Sequence, residues 1–229
     1  MSAEAKKRVG QEVAGWVENG TVVGLGTGST AAMAIKALGE RIARENLQVR
    51  GVPTSFFSEQ LARGCGIPLT TLDSEPALDL AFDGADEVDP SFNLIKGRGA
   101  AHTREKVVAA AARRFVVLVD ESKLVARLGT KWPVPVEVVP MGVTPILRRL
   151  TDLGASCKIR MGERKDGPVV SDQGMWVVDA WFDGIDDPEK LARTISLMPG
   201  VVDHGLFLGL TTDVLIGLAD GSVEHRRAG

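Results

Sequence analysis

The chain has 229 residues, 44% of them hydrophobic and 25% charged, with a formal net charge of −3. That composition supports a sizeable core in one or two modest domains, and it excludes the basic surface that non-specific nucleic-acid binding needs. No run of about 18 apolar residues occurs, which excludes a transmembrane helix. The opening Met1-Ser2-Ala3-Glu4-Ala5-Lys6-Lys7-Arg8 lacks the apolar stretch of a secretory signal. Cys65 and Cys157 lie far apart, and His102, His204 and His225 show no metal-ligand spacing. A reduced cytoplasmic setting, structural thiols and no metal site are therefore expected.

In chain order, residues 21–26 form a short apolar strand ending in glycines, and 29–44 carry Ala, Ile, Leu and charges at helical spacing. Strands are predicted over 47–52, 78–82 and 115–119, with helices over 57–63 and 103–114. This alternation predicts a parallel sheet covered on both faces, with ligands beyond the carboxyl ends of its strands. Residues 132–140 hold Pro133, Pro135 and Pro140, which suits an edge strand or a linker. Beyond them come a strand at 136–139, a helix at 144–153, strands at 156–161 and 175–182, a helix at 188–197 and a strand at 201–208. That order is β-α-β-β-α-β, the split βαβ arrangement. The expected division is an α/β domain of residues 1–131 plus 209–229, and a small α+β domain of 132–208. The apolar run 214–218 is placed to return to the first sheet.

Four polar segments carry the chemistry. Gly24-Leu25-Gly26-Thr27-Gly28-Ser29-Thr30 stands between a strand and a helix. Its glycines let the backbone approach a ligand with N–H groups exposed, and Ser29 and Thr30 add hydroxyl donors, as in a phosphate cradle. No Gly-Lys-Ser/Thr follows, so it is not a Walker loop. Ser29 stands where a dinucleotide fingerprint has its third glycine, which disfavours a nicotinamide-dependent oxidoreductase. A plain helix cap from Ser29 or Thr30 is the alternative.

Asp83-Gly84-Ala85-Asp86-Glu87, with Asp89, puts four acids into seven residues directly after a strand. Like charges at close range raise one another's pKa values, which suits proton transfer or hydroxyl binding. An exposed acidic turn and a carboxylate-held magnesium ion compete with that reading. Lys96-Gly97-Arg98-Gly99-Ala100-Ala101 is a cationic glycine loop able to reach a phosphate or an enolate oxygen. Glu105 falls in the first turn of the next helix. The alternatives are a solvated Lys96 and a Glu105 that complements the helix dipole. Asp120-Glu121-Ser122-Lys123 adds a lysine after a further strand, which by itself reads as a surface lysine. All four segments are read as following successive parallel strands, so all are expected to face one crevice. Together they form the set required for proton transfer beside a carbonyl in a phosphorylated sugar.

In this order the words resemble the type A ribose-5-phosphate isomerase family. The matching stretches are Gly24 to Ala31, Asp83 to Glu87, Lys96-Gly-x-Gly-Ala-Ala and Arg104-Glu105-Lys106. Val52-Pro53-Thr54-Ser55, Pro135-Val136-Glu137-Val138-Val139-Pro140 and Pro199-Gly200-Val201-Val202 support them. The resemblance implies a Rossmann-like parallel-sheet main domain with a smaller inserted ferredoxin-like α+β domain. It implies interconversion of ribose 5-phosphate and ribulose 5-phosphate, in the non-oxidative pentose phosphate pathway, through an enediolate and without metal or cofactor. Glu105 resembles the base, Asp83 and Asp86 the acids that handle hydroxyls and ring opening, and Lys96 the group that stabilises the enediolate oxygen. Thr27, Gly28, Ser29, Thr30, Gly84, Ala85, Gly97, Arg98, Gly99 and Lys123 fall at positions implied to bind the phosphorylated pentose.

A homo-oligomer, dimer or tetramer, is also implied; nucleic acid and membrane are not expected partners. Arg98 departs from a position that is often glycine or uncharged, and is expected to point to solvent. His102 replaces a commonly apolar residue, and a packing or surface role is expected. The remaining alternative is a non-catalytic sugar-phosphate sensor. It would expect a DNA-binding domain and a lost base, whereas Glu105 is present.

Overall fold

The computed structural model describes residues 3–228. In chain order the elements are α1 (Ala3–Gly15), β1 (Val22–Leu25), α2 (Ser29–Glu45), β2 (Arg50–Pro53), α3 (Phe56–Gly64), β3 (Leu80–Gly84), β4 (Glu87–Val88), β5 (Leu94–Ile95), α4 (His102–Ala110) and β6 (Phe115–Asp120). There follow β7 (Val134–Val138), α5 (Val143–Asp152), β8 (Ser156–Ile159), β9 (Trp176–Trp181), α6 (Pro188–Ser196), β10 (Val201–His204), β11 (Leu206–Phe207), β12 (Asp213–Gly217) and β13 (Val223–Arg227). The chain divides into two compact units, one of residues 3–85, 104–123 and 210–228, the other of 86–103 and 124–209.

In the first unit six strands lie in the order β13-β12-β6-β3-β1-β2. All are parallel except β13, which runs antiparallel to β12. The strands read as continuous apolar runs because both faces are covered. On one face Val23, Leu25, Leu80, Phe82, Val116, Leu118 and Leu215 pack with Val9 and Val13 of α1 and Ala34, Ile35 and Leu38 of α2. The alternate positions Gly24 and Ala81 turn to α4, where a Cβ on Gly24 would stand 2.5 Å from a Val108 methyl. No helix was expected at the N-terminus. α1 forms there because its buried stripe of Ala5, Val9, Val13 and Ala14 is covered by tertiary packing. Gly10 sets how closely α1 crosses α2: a Cβ there would lie 2.7 Å from the Ala34 nitrogen.

The second unit holds an antiparallel sheet β10-β7-β9-β8 and a small antiparallel sheet β11-β5-β4. The run from β7 to β10 is β-α-β-β-α-β. Ile146, Leu150 and Ile195 of α5 and α6 pack with Val134, Val136, Val138, Val178 and Ala180 of the sheet. Pro188 opens α6, and the Asp187 side chain caps it by accepting the Lys190 N–H.

The prolines pointed to an edge strand or a linker, but β7 has a neighbour on each side. Pro135 is tolerated because its carbonyl accepts the Gly205 N–H at 2.7 Å, just past the last paired residue of β10. Its missing donor therefore falls beyond the end of β10, and pairing with β9 is untouched. Relative to the expected division, residues 86–103, 124–131 and 209 fall in the second unit. The cause is that β5 pairs with both β4 and β11, and that Glu87 binds the backbone at Gly129, Lys131 and Trp132.

Candidate active site

β1 and β3 lie side by side in the first unit, and their carboxyl ends are joined by backbone bonds. The Gly26 N–H donates to the Phe82 carbonyl at 3.0 Å. The N–H groups of Thr27 and Gly84 both donate to Asp83 Oδ1, at 2.9 and 2.8 Å. A Cβ on Gly26 would stand 2.5 Å from the Asp83 carboxyl carbon, so this approach needs glycine. Asp83 is buried. Thr27 Oγ1 lies 2.8 Å from Thr54 Oγ1 and donates to Ser55 Oγ at 2.6 Å, tying the cradle to the turn after β2.

Helix α2 starts at Ser29, behind Gly28 at φ 106° and with no side-chain cap. The first-turn N–H groups of a helix are unsatisfied donors that favour an anion. Lys6 of α1 donates to Ser29 Oγ at 2.9 Å. Sequence reasoning missed it, because nothing before packing connects residue 6 to residue 29. Glu105, buried to 5% exposure, lies three residues before Val108 and so on the sheet-facing side of α4. Lys123 closes a 3-10 turn after β6 and is half-buried.

The loop of Lys96, Gly97, Arg98 and Gly99 corrects one expectation. It follows β5, an antiparallel strand of the small sheet, and not a strand of the parallel one. Lys96 is 3% exposed, with Nζ 5.4 Å from the Phe207 ring centroid. A buried ammonium over a ring face is favourable, so the solvated-charge reading fails. Arg98 was expected to point to solvent. It is exposed, but its guanidinium stacks 4.3 Å over Trp132 and its N–H donates to Asp86 Oδ2 at 3.2 Å. His102 is fully buried with its ring against Gly97, where a Cβ would stand 2.8 Å from Nδ1.

The acids divide by task. Glu87, fully buried, accepts N–H groups from Gly129, Lys131 and Trp132 at 2.6–2.7 Å. Asp89 accepts the N–H groups of Ser91 and Asn93 in its own turn. Both are committed to backbone, and Asp83 Oδ1 and Asp86 Oδ2 accept backbone N–H groups as well. Glu137, within the proline-flanked word, is fully buried and accepts hydroxyl bonds from Thr103 and Ser171. Burial pushes both the Cys65 and Cys157 thiols up. Among the described residues no group of three or more His, Cys, Asp or Glu is placed to hold a metal ion.

A parallel sheet whose carboxyl edge gathers glycines, hydroxyls and buried carboxylates is the frame of an α/β enzyme acting on a small polar molecule. The family described as Ribose 5-phosphate isomerase A (phosphoriboisomerase A) matches residues 50–221. Ribose-5-phosphate isomerase A of Gloeothece citriformis is 54% identical over 223 residues, 96% of this chain and 94% of that one. The same-named protein of Haloarcula marismortui is 53% identical over 220 residues, again 96% and 94%. The solved ribose 5-phosphate isomerase A of Methanocaldococcus jannaschii is 48% identical with a TM-score of 0.93, covering 97% and 98% of the two chains. A D-ribose-5-phosphate isomerase in complex with phospho-erythronic acid is 45% identical with a TM-score of 0.95, covering 98% of each. The chain belongs to the ribose-5-phosphate isomerase A family, and it is an isomerase.

Proposed function

We propose that the chain interconverts D-ribose 5-phosphate and D-ribulose 5-phosphate through an enediolate, with no metal or cofactor. Family membership supports the reaction, and the buried carboxylate of Glu105 at the start of α4 carries the mechanism. The open first turn of α2, with Thr27, Gly28, Ser29 and Thr30, takes the phosphate, together with Lys6 and Lys123. Gly84 and Ala85, with Gly97, Arg98 and Gly99, line the sugar, while Asp83 and Asp86 hold its hydroxyls and assist ring opening.

Glu105 removes the proton from C2 of the open aldose. The C–H electron pair becomes the C1–C2 double bond and charge gathers on O1, where Lys96 stabilises it. Moving a proton from the C2 hydroxyl to O1, and returning the first proton from Glu105 to C1, gives the ketose. Phospho-erythronic acid has a phosphate and a carboxylate whose two oxygens resemble the enediolate pair, so it is expected to compete with substrate. The reading extends to a cytoplasmic setting and a homo-oligomer, dimer or tetramer, which sedimentation velocity tests.

The experiment is ribulose 5-phosphate formation by purified protein in excess EDTA, beside the Glu105→Gln variant. Turnover in EDTA is expected, with kcat about 10²–10⁴ lower in the variant, the share of a positioned base. Activity of the variant within threefold of the parent would remove Glu105 as the base. Loss on chelation that magnesium restores would overturn the metal-free reading.

A further inference from the structure

We infer that Arg160, held by Asp179, is a positioning residue for this reaction: it clamps the backbone of the loop that carries Lys96. The inference rests on the role proposed above for that lysine.

Arg160 follows β8, and its own backbone is fixed on both sides. Its N–H donates to the Val177 carbonyl and its carbonyl accepts the Val169 N–H, each at 2.8 Å. Asp179 of β9 takes Arg160 Nε at 3.0 Å and one terminal nitrogen at 2.5 Å. The other terminal nitrogen donates to two carbonyls of the loop, Gly97 at 2.8 Å and Arg98 at 3.0 Å. Four of the five guanidinium donors are therefore committed, two to a carboxylate that fixes the fork and two to the loop. The Arg160 and Asp179 side chains are only 15% and 10% exposed, so water competes weakly for these bonds.

The loop needs such a clamp. Gly97 adopts φ 110° and Ala100 adopts φ 57°, a left-handed conformation that is unfavourable for an alanine. Strained backbone persists where its surroundings over-determine it. Here the surroundings are the His102 ring packed on Gly97, Asp86 on the Arg98 N–H, and Arg160 on the two carbonyls. Of these, Arg160 holds the carbonyls that immediately follow Lys96. A lysine at 160 could not hold Asp179 with two bonds and reach both carbonyls, because it lacks the planar fork. Geometry of this kind acts on the rate: displacing a catalytic group by about 1 Å can cost on the order of 10²-fold.

The test uses Arg160→Met, Arg160→Lys and Lys96→Met in the full chain, with kinetics, hydrogen exchange and a thermal unfolding profile. Arg160→Met is expected to lower kcat about 10–100-fold while the protein stays folded at the assay temperature, and Arg160→Lys to recover part of that loss. In the Lys96→Met background the same change is expected to lower the residual rate less than threefold, because its route of action is already gone. Amide exchange in peptides covering 96–101 is expected to quicken at least tenfold in Arg160→Met, with the α2 and β6 peptides unchanged. A kcat within threefold of the parent, an equal loss in both backgrounds, or unaltered exchange in 96–101 would each overturn the inference. An inactive parent would instead count against the proposed reaction, and the exchange measurement would still judge the clamp. For a variant that unfolds, Asp179→Asn takes its place, with the same expected and overturning outcomes.

Discussion

At the amino edge of the parallel sheet, Asp213 opens β12 wholly buried and is answered from several directions. Arg114 grips it with two bonds of 2.9 and 3.1 Å, His225 Nε2 stands 2.8 Å from Oδ1, and the Thr212 hydroxyl donates at 2.7 Å. Arg114 lies 4.6 Å over the Trp16 ring, and that ring sits 4.8 Å from His225. The carboxyl edge is built differently. Helix α3 is closed by a Ser55–Ser58 capping box, but α2 begins behind a glycine with no side-chain cap, and Lys6 points its ammonium at Ser29. The amino edge answers the Asp213 carboxylate from within the protein, whereas the other keeps backbone donors and a cation at one helix start. Buried polar residues therefore mark function here by which groups they leave available, and not by burial alone.

The largest expected effect breaks the carboxyl edge without touching the amino edge. Gly26→Ala drives a methyl into the Asp83 carboxyl group and the Phe82 carbonyl, so the acid and the Thr27 N–H it accepts must move. kcat/KM is expected to fall on the order of 10²-fold or more. Steady-state kinetics within threefold of the parent would show that the edge tolerates displacement. A smaller effect sharpens the comparison. Lys6→Met leaves the helix start but removes a cation beside it. KM is expected to rise about tenfold, the scale of one charge-assisted contact, with kcat within threefold. An unchanged KM would separate Lys6 from the phosphate.

Much of the frame was legible. The long periodic helices and the apolar runs of β1, β3, β6 and β12 announce a parallel sheet, because burial on both faces removes alternation. The two-residue strands Glu87–Val88, Leu94–Ile95 and Leu206–Phe207 fall below any periodic pattern and exist through pairing alone. β13, reading Val-Glu-His-Arg-Arg, is an edge strand whose polarity hides it. Among the residues proposed for the site, the segments of Thr27, Asp83, Lys96 and Glu105 stand out because glycines and acids after strands have few bland uses. Lys6 and Arg160 are invisible in the same text. Each acts across a distance of sequence, 23 residues to Ser29 and 62–63 residues to the loop, that only packing closes. For Lys6 that packing is the close crossing of α1 on α2 at Gly10, one helical turn along.

The smallest expected effect tests the amino edge, where the prediction is stability without catalysis. Burial alone would raise the Asp213 carboxyl, but bonds from Arg114, Thr212 and His225 outweigh it and hold the group at about 2. A carboxyl depressed in the folded state contributes stability above its unfolded pKa, near 3.8, and that contribution is lost as pH falls from about 4 towards 2. Arg114 and His225 are 39% and 42% exposed, so solvent screens part of the interaction and the contribution is about 1–2 kcal/mol. Asp213→Asn is therefore expected to be less stable than the parent by that amount at pH 7, with the gap narrowing below pH 4 and kcat and KM unchanged throughout. Denaturant unfolding of both proteins from pH 7 to pH 3 checks the first part, and assays at pH 7 the second. A gap that does not change with pH would mean that Asp213 stabilises the edge as a neutral hydrogen-bond acceptor does. A change in kcat would mean that the two edges are coupled through the strands between them.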